Sequence, residues 1–238
     1  MDDETRLGSM PRPNNRRPLL GLTVLVVEDS RYACDAMRLM CLRSGARIRR
    51  ADCLASARRH LQVYRPSVII VDLGLPDGSG ADLIAELCRS VPRIGVILAT
   101  SGDSFAEDVA LAAGADGFLA KPMTSLPAFQ AAVIEKLPSE MRPSGPRTIS
   151  AEPICPDPLS YRDDMAHAAE LLREGMEPGA IRYVTQFLGG VARSAGDHVL
   201  ENAAADLASV HEEGTPHAAA MARLSTLVQD RVADRIAI

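Results

Sequence analysis

Val68-Ile69-Ile70-Val71-Asp72-Leu73-Gly74-Leu75-Pro76-Asp77-Gly78-Ser79-Gly80 is the stretch that decides the fold. An unbroken apolar run ends in one carboxylate, Asp72, and then in a loop of Gly and Pro. Open α/β sheets present a reactive group in this way, at the carboxyl edge of a strand buried on both faces. Working outward, the same design recurs. Residues 23–27, TVLVV, run into Glu28-Asp29; residues 95–99, GVILA, run into Thr100-Ser101; residues 117–120, GFLA, run into Lys121-Pro122. The second segment of this kind, residues 47–51 (RIRRA), is short and polar, which suits only a sheet edge.

Helical patterns fill the gaps. Ser30 is placed to cap a helix over 31–43 that Gly45 closes, and Asp52 to cap a helix to about Tyr64 with Leu54, Ala57 and Leu61 inward. Residues 81–90 form the next helix. Ser104 with Glu107 reads as a capping box for a helix stopped by Gly114, and Pro127 sits in the first turn of a last helix reaching Leu137. Five β-α units in strict alternation predict a (βα)5 doubly wound parallel sheet with right-handed crossovers. The polar second strand at an edge gives the order 2-1-3-4-5.

The chain of 238 residues divides on composition into four parts. Residues 1–20, rich in Pro, Asn and Arg, read as a flexible tail. Residues 21–137 hold the α/β domain. Residues 138–158 contain six prolines and read as a semi-rigid linker. Residues 159–238 change to a 3.6-residue period and predict an all-α four-helix bundle. Its first helix starts at a Ser160/Asp163 capping box, with Met165, Ala169 and Leu172 inward. Pro178 opens the second, whose seam is Ile181, Val184, Leu188, Val191 and Ala195. Gly196 ends it, Asp197 caps the third (Leu200, Ala203, Leu207, Val210), and the fourth uses Met221, Leu224, Val228 and Val232.

Apolar residues make up 47% and aromatics 3% with no Trp, so the cores are aliphatic. A net charge of −5 argues against a general nucleic-acid binder, though not against a local basic patch. The five cysteines show neither C-x-x-C nor metal-ligand spacing and read as buried or half-buried free thiols. There is no signal-peptide pattern and no span-length apolar run, so the expectation is a cytoplasmic protein with no membrane partner.

The chemistry lies at the carboxyl ends of the first and third strands, where Glu28, Asp29 and Asp72 converge. Like charges this close need protons or a cation, and a hard divalent ion such as Mg²⁺ suits an oxygen-only site. Lys121 reaches the same crevice and Thr100 offers a hydroxyl. Acid nucleophile, metal, ammonium and hydroxyl together suit transfer of a phosphoryl group onto Asp72.

On VLVVEDS, VIIVDLGLPDGSG, VILATSGD and GADGFLAKP, residues 21–137 resemble the receiver domain of two-component response regulators. The resemblance implies Asp72 as phospho-acceptor. Mg²⁺ would be held by Asp29 directly, by Glu28 largely through water, by Asp72, and by the Gly74 carbonyl. Thr100 and Lys121 would contact the phosphoryl group, Thr100 and Phe118 would form the switch, and Pro122 would follow a cis peptide. Phe118 stands where the family often has Tyr, and Gly74 leaves the rim of the site open to water.

The stretch 183–196, YVTQFLGGVARSAG, resembles the second helix of a histidine phosphotransfer domain, in which a pattern like H-x-L-K-G carries the phosphorylated His. Here Gln186 replaces that His, and Gly189 and Gly190 follow. Gln186 is two residues from both Val184 and Leu188, about 200° round the helix from each, so it points away from the seam. The two resemblances imply a signalling switch rather than an enzyme, one that assists its own aspartyl phosphorylation and dephosphorylation. It would take phosphate on Asp72 from a histidine kinase or phosphotransfer protein and act through protein–protein contacts of a degenerate phosphotransfer bundle, homodimerisation among them. The alternative is an active phosphorelay intermediate that uses a non-standard His of the bundle, with His198 first in line.

Overall fold

A computed structural model describes residues 13–103, 105–145, 152–173 and 178–234. In the first half, β1 (Thr23–Val27), α1 (Arg31–Arg43), β2 (Arg47–Ala51), α2 (Leu54–Val63) and β3 (Val68–Asp72) are followed by a two-residue hairpin, β4 (Gly74–Leu75) and β5 (Gly78–Ser79). Then come α3 (Gly80–Arg89), β6 (Val96–Ser101), α4 (Ala106–Ala112), β7 (Gly117–Ala120) and α5 (Leu126–Lys136). The five long strands form one parallel sheet in the order β2-β1-β3-β6-β7. That is the 2-1-3-4-5 order expected, with the hairpin lying outside the sheet.

Strand alternation divides the core in two. Val24, Val26, Val68, Ile70, Val96 and Leu98 face α1 and α5. Leu25, Val27, Ile69, Val71, Ile97 and Ala99 face α2, α3 and α4. Successive side chains point to opposite faces, so an apolar residue at every position is what a sheet covered on both sides requires.

Helices α6 (Pro158–Arg173), α7 (Pro178–Ala195), α8 (His198–Glu212) and α9 (Ala218–Ala233) make the second core, in which each helix packs on two neighbours. Met165, Ile181, Val184, Leu188, Val191, Leu200, Ala203, Leu207, Leu224 and Val228 are buried in it. Ala192, rather than Ala195, completes the α7 seam.

Several expectations are corrected. The tail reading of residues 1–20 fails at its end: Leu19 is fully buried in the α1/α5 core and its N–H donates to the Ser44 carbonyl. Asp52 does not cap α2. Cys53 is the N-cap, and the Asp77 carboxylate accepts from Leu54 N and Ala55 N at 2.8 and 2.9 Å, so the cap arrives from the β3–α3 loop. Ser160 and Asp163 form no capping box, because α6 begins earlier, at Pro158, and Asp163 pairs with Arg31 instead. Ser104 lies outside the described residues; α4 starts behind Phe105 without a side-chain cap. The proline-rich segment is pinned where it is described: Ile154 is buried in the α1/α5 core and Asp157 N donates to Asp35. The cysteines are free, but Cys155 is exposed.

Candidate functional site

The parallel register places the site. Val27 pairs with Val71 across β1 and β3, and Asp72 pairs with Thr100 across β3 and β6. Residues just beyond those pairs therefore emerge side by side at one edge. Glu28, Asp29 and Asp72 each contribute a carboxylate oxygen to a group whose members lie within 4.8 Å of one another. The chain can turn so tightly behind Asp72 because of Gly80, where a Cβ would overlap the Asp72 carbonyl oxygen.

Lys121 enters from the end of β7, held by its N–H to the Ser101 carbonyl, and the Lys121–Pro122 peptide is cis. Its Nζ lies 2.7 Å from Asp72 Oδ2 and 2.7 Å from Glu28 Oε2. The first contact is a well-aligned hydrogen bond. The second is a buried ion pair, and Glu28 Oε2 has no further polar partner among the described residues. Asp72 Oδ1 accepts from Gly74 N at 3.2 Å.

Two of the three acids pair with this one ammonium, and the crowding shows in Glu28 and Asp29. Burial, then the Asp72 and Asp29 charges, raise Glu28 well above the ordinary carboxyl range against the opposing pull of Lys121. Burial and the Asp72 charge push Asp29 up to about 6. Burial opposes the charge on Lys121, but Asp72 and Glu28 outweigh it and raise the ammonium pKa. Three clustered carboxylates facing one ammonium carry surplus negative charge, which fits a hard divalent cation. Glu28, Asp29, Asp72 and the Gly74 carbonyl are the oxygens that would hold it.

Thr100 is fully buried, and its hydroxyl donates to the Leu119 carbonyl at 2.7 Å rather than to the carboxylates. Phe118 is half-buried beside the α2/α3/α4 core. The space at Gly74 is not open to water as expected: a Cβ there would overlap the side-chain amide of Gln186, which lies against it from α7.

The second domain thus reaches the site, a meeting the sequence reading did not foresee. Tyr183 Oη donates to Asp29 Oδ2 at 2.5 Å, and the Arg193 guanidinium donates to the Gly102 carbonyl. Asp164 of α6 accepts from Ser30 Oγ, Arg31 N and Tyr32 N at 2.8 to 3.0 Å. One signal was available: Tyr183, Gln186, Gly190 and Arg193 are spaced 3, 4 and 3, a second stripe beside the apolar seam. Of the remaining candidates, Gly189 and Gly190 line the cavity of about 580 Å³ between the domains. His198 stands at the first turn of α8 beside Glu201.

A doubly wound sheet with an acid cluster and a lysine at its carboxyl edge defines a class, and comparison places this part of the chain within it. Residues 24–133 match the response regulator receiver domain, and this segment is a receiver domain. The transcriptional regulatory protein KdpE of Mycobacterium tuberculosis is 35% identical over 99 residues, covering 42% of this chain and 44% of the relative. The KDP operon transcriptional regulatory protein KdpE of Escherichia coli is 36% identical over 101 residues, with 42% and 44% covered. The chain therefore spans less than half the length of these curated relatives. Among solved structures, a putative response regulator from Chloroflexus aurantiacus is 25% identical with a TM-score of 0.45, covering 48% of this chain and 96% of that one. Among the described residues no helix is long and apolar enough to cross a membrane.

Proposed function

We propose that the protein is a response regulator that accepts phosphate on Asp72 from the phosphohistidine of a kinase or phosphotransfer protein. The observation that carries this reading is Lys121 Nζ lying 2.7 Å from both Asp72 and Glu28 inside a cluster of three carboxylates. An Asp72 oxygen forms the new O–P bond while the N–P bond of the donor breaks and its imidazole leaves with the electron pair. Lys121, which already holds Asp72 Oδ2, is positioned to offset charge on the equatorial phosphoryl oxygens. Bound Mg²⁺ would supply further charge neutralisation at the same oxygens. Thr100 would turn from the Leu119 carbonyl toward the phosphoryl group, with Phe118 following as the switch. On this reading the chain is a switch with residues 21–137 as the receiver, and output runs through protein–protein contacts of the 159–238 bundle.

Phosphorelay through a non-standard histidine has less support, because the α7 residues that reach the site are Tyr183, Gln186 and Arg193, and His198 bonds to Glu201. The names of the relatives suggest a transcriptional output, but the acidic chain gives that no support in its own charge. The test is labelling with Mg²⁺ and phosphoramidate, resolved on a phosphate-affinity gel. Wild type is expected to give one alkali-labile, acid-stable species and Asp72→Asn none. Equal labelling of the two, or an acid-labile phosphate, overturns the reading.

A further inference from the structure

The two domains meet through a surface with a specific geometry. Asp164 of α6 sits at the N-terminus of α1 and takes up three donors there, two backbone N–H groups and the Ser30 hydroxyl. Ser30 caps α1 from within the receiver by accepting from Ala33 N, and Asp164 adds acceptors for the two earlier N–H groups that this cap does not reach. Asp163 pairs with Arg31 at 2.7 Å, and Tyr161 packs edge-on against Tyr32 with ring centroids 5.9 Å apart. These contacts hold α7 across the carboxyl edge of the sheet.

Along α7, three residues on the stripe meet three different parts of the site. Tyr183 donates to Asp29 Oδ2, while Asp29 Oδ1 already accepts from Ser30 N, so both oxygens of this candidate metal ligand are engaged. Gln186 fills the space over Gly74, beside the backbone N–H that bonds Asp72. Arg193 holds the Gly102 carbonyl in the loop after β6. A phosphohistidine helix would have to bring its imidazole to Asp72 through the space that α7 fills. Gln186 stands in that space with a neutral amide, which has no nucleophilic nitrogen from which to give or take a phosphoryl group.

We propose that α7 is a built-in, non-transferring stand-in for the phosphodonor helix. It closes the acceptor site of its own chain, and metal and phosphoryl group enter only as the bundle moves off. The inference rests on Asp72 being the acceptor. The contacts named are mainly polar and charged, which suits a reversible interdomain surface. A ligand that binds only the open arrangement shifts the population toward it, so metal and phosphate drive release of the bundle, and a closed bundle weakens both by the same coupling.

The test locks the two domains together at a point away from the reacting groups. A Cβ on Gly102 would lie 3.8 Å from the Gly190 Cα, so the two backbones are close enough for a disulfide to form after a small shift. The variant is Gly102→Cys with Gly190→Cys in a full chain whose exposed thiol is removed by Cys155→Ser. Mg²⁺ binding is measured by titration calorimetry, and labelling by phosphoramidate, on the oxidised and the reduced protein. Oxidation is expected to weaken Mg²⁺ binding and slow labelling by about tenfold or more, both restored by dithiothreitol. Tyr183→Phe in the otherwise native chain is expected to tighten Mg²⁺ binding several-fold. Equal Mg²⁺ affinity in the two redox states overturns the proposal, as does failure of the pair to cross-link. If the reduced protein binds Mg²⁺ yet takes no phosphate, the acceptor reading fails, and the Mg²⁺ comparison alone decides the role of α7.

Discussion

At the carboxyl edge of the sheet, Asp72 and Glu28 share the Lys121 ammonium, and Asp29 adds a third acid with no cation of its own. In the bundle, Asp197 faces a guanidinium that matches it: Arg231 Nε and Nη2 bond its two oxygens at 2.9 and 3.2 Å. Tyr161 Oη and Leu200 N complete the shell of Asp197 at 2.8 and 3.1 Å. The two clusters use the same residue types to opposite effect. In the receiver, burial and like charge push Glu28 and Asp29 up. In the bundle, burial opposes the Asp197 charge, but the Arg231 hydrogen bond and the helix-start N–H outweigh it and hold Asp197 down at about 2. A balanced cluster is a clamp. A cluster with surplus charge is held short of its own optimum, as a site awaiting a cation is.

The largest expected effect breaks the receiver side. Lys121→Met leaves Asp72 and Glu28 buried without their cation. Removing one partner of a buried pair costs about 3–5 kcal/mol. The loss is expected to shrink at pH 5, where the raised acids are protonated, and to shrink when Mg²⁺ is added. Urea unfolding of the receiver segment, followed by amide exchange at several pH values, checks this. A loss below about 1 kcal/mol at pH 7 would mean that the ammonium does not hold the cluster together.

The bundle side should respond more weakly, and its cost should persist to a lower pH before it fades. Asp197 has a folded-state pKa of about 2 against an ordinary value of 3.8. Its contribution is therefore fully present above about pH 4 and is lost as pH falls toward 2. Asp197→Asn is expected to cost about 2 kcal/mol at neutral pH, since the amide can still cap α8 but loses the charge that Arg231 pairs with. The same variant should be nearly neutral at pH 2. Amide exchange in α8 and α9 across that range reads the difference, and a cost unchanged at pH 2 would show that the carboxylate charge is not what stabilises.

How much of this contrast could be read in the sequence follows from where each interaction lies. Glu28, Asp29, Asp72, Thr100 and Lys121 stand at the ends of predictable strands, and parallel register brings strand ends together whatever the side chains are. The sheet order was equally legible, because RIRRA fits only an edge. The capping of α2 by Asp77 was not: the acceptor is 23 positions from Leu54 in the chain, and Asp52 next to the helix satisfied the local rule just as well. The interdomain surface was hidden for a stronger reason. Tyr183, Asp164 and Arg193 each read as ordinary exposed residues of an amphipathic helix. The stripe on α7 marks a second face, but what that face meets depends on one domain packing against the other, which the spacing does not encode.

The smallest effect is the sharpest test, because its sign separates the two clusters. Glu28→Gln makes the same chemical change as Asp197→Asn, a carboxylate to its amide. In the receiver it removes one of two acids on Lys121 while keeping an acceptor in reach, and Asp72 still neutralises the ammonium. An acid whose folded-state pKa is raised destabilises the fold at every pH above its unfolded value, so removing that charge should stabilise. The expected gain is on the order of 1 kcal/mol at pH 7 to 8, fading as pH falls and Glu28 protonates in the wild type. Saturating Mg²⁺ should reverse the order: wild type gains about 2.7 kcal/mol at one hundred times its dissociation constant, while a variant short of one oxyanion gains less. A crossing of the two stability curves as Mg²⁺ is raised means that the site gives up stability for metal binding. If Glu28→Gln destabilises without metal, as Asp197→Asn does, then Glu28 belongs to a clamp, and the distinction between the two clusters falls.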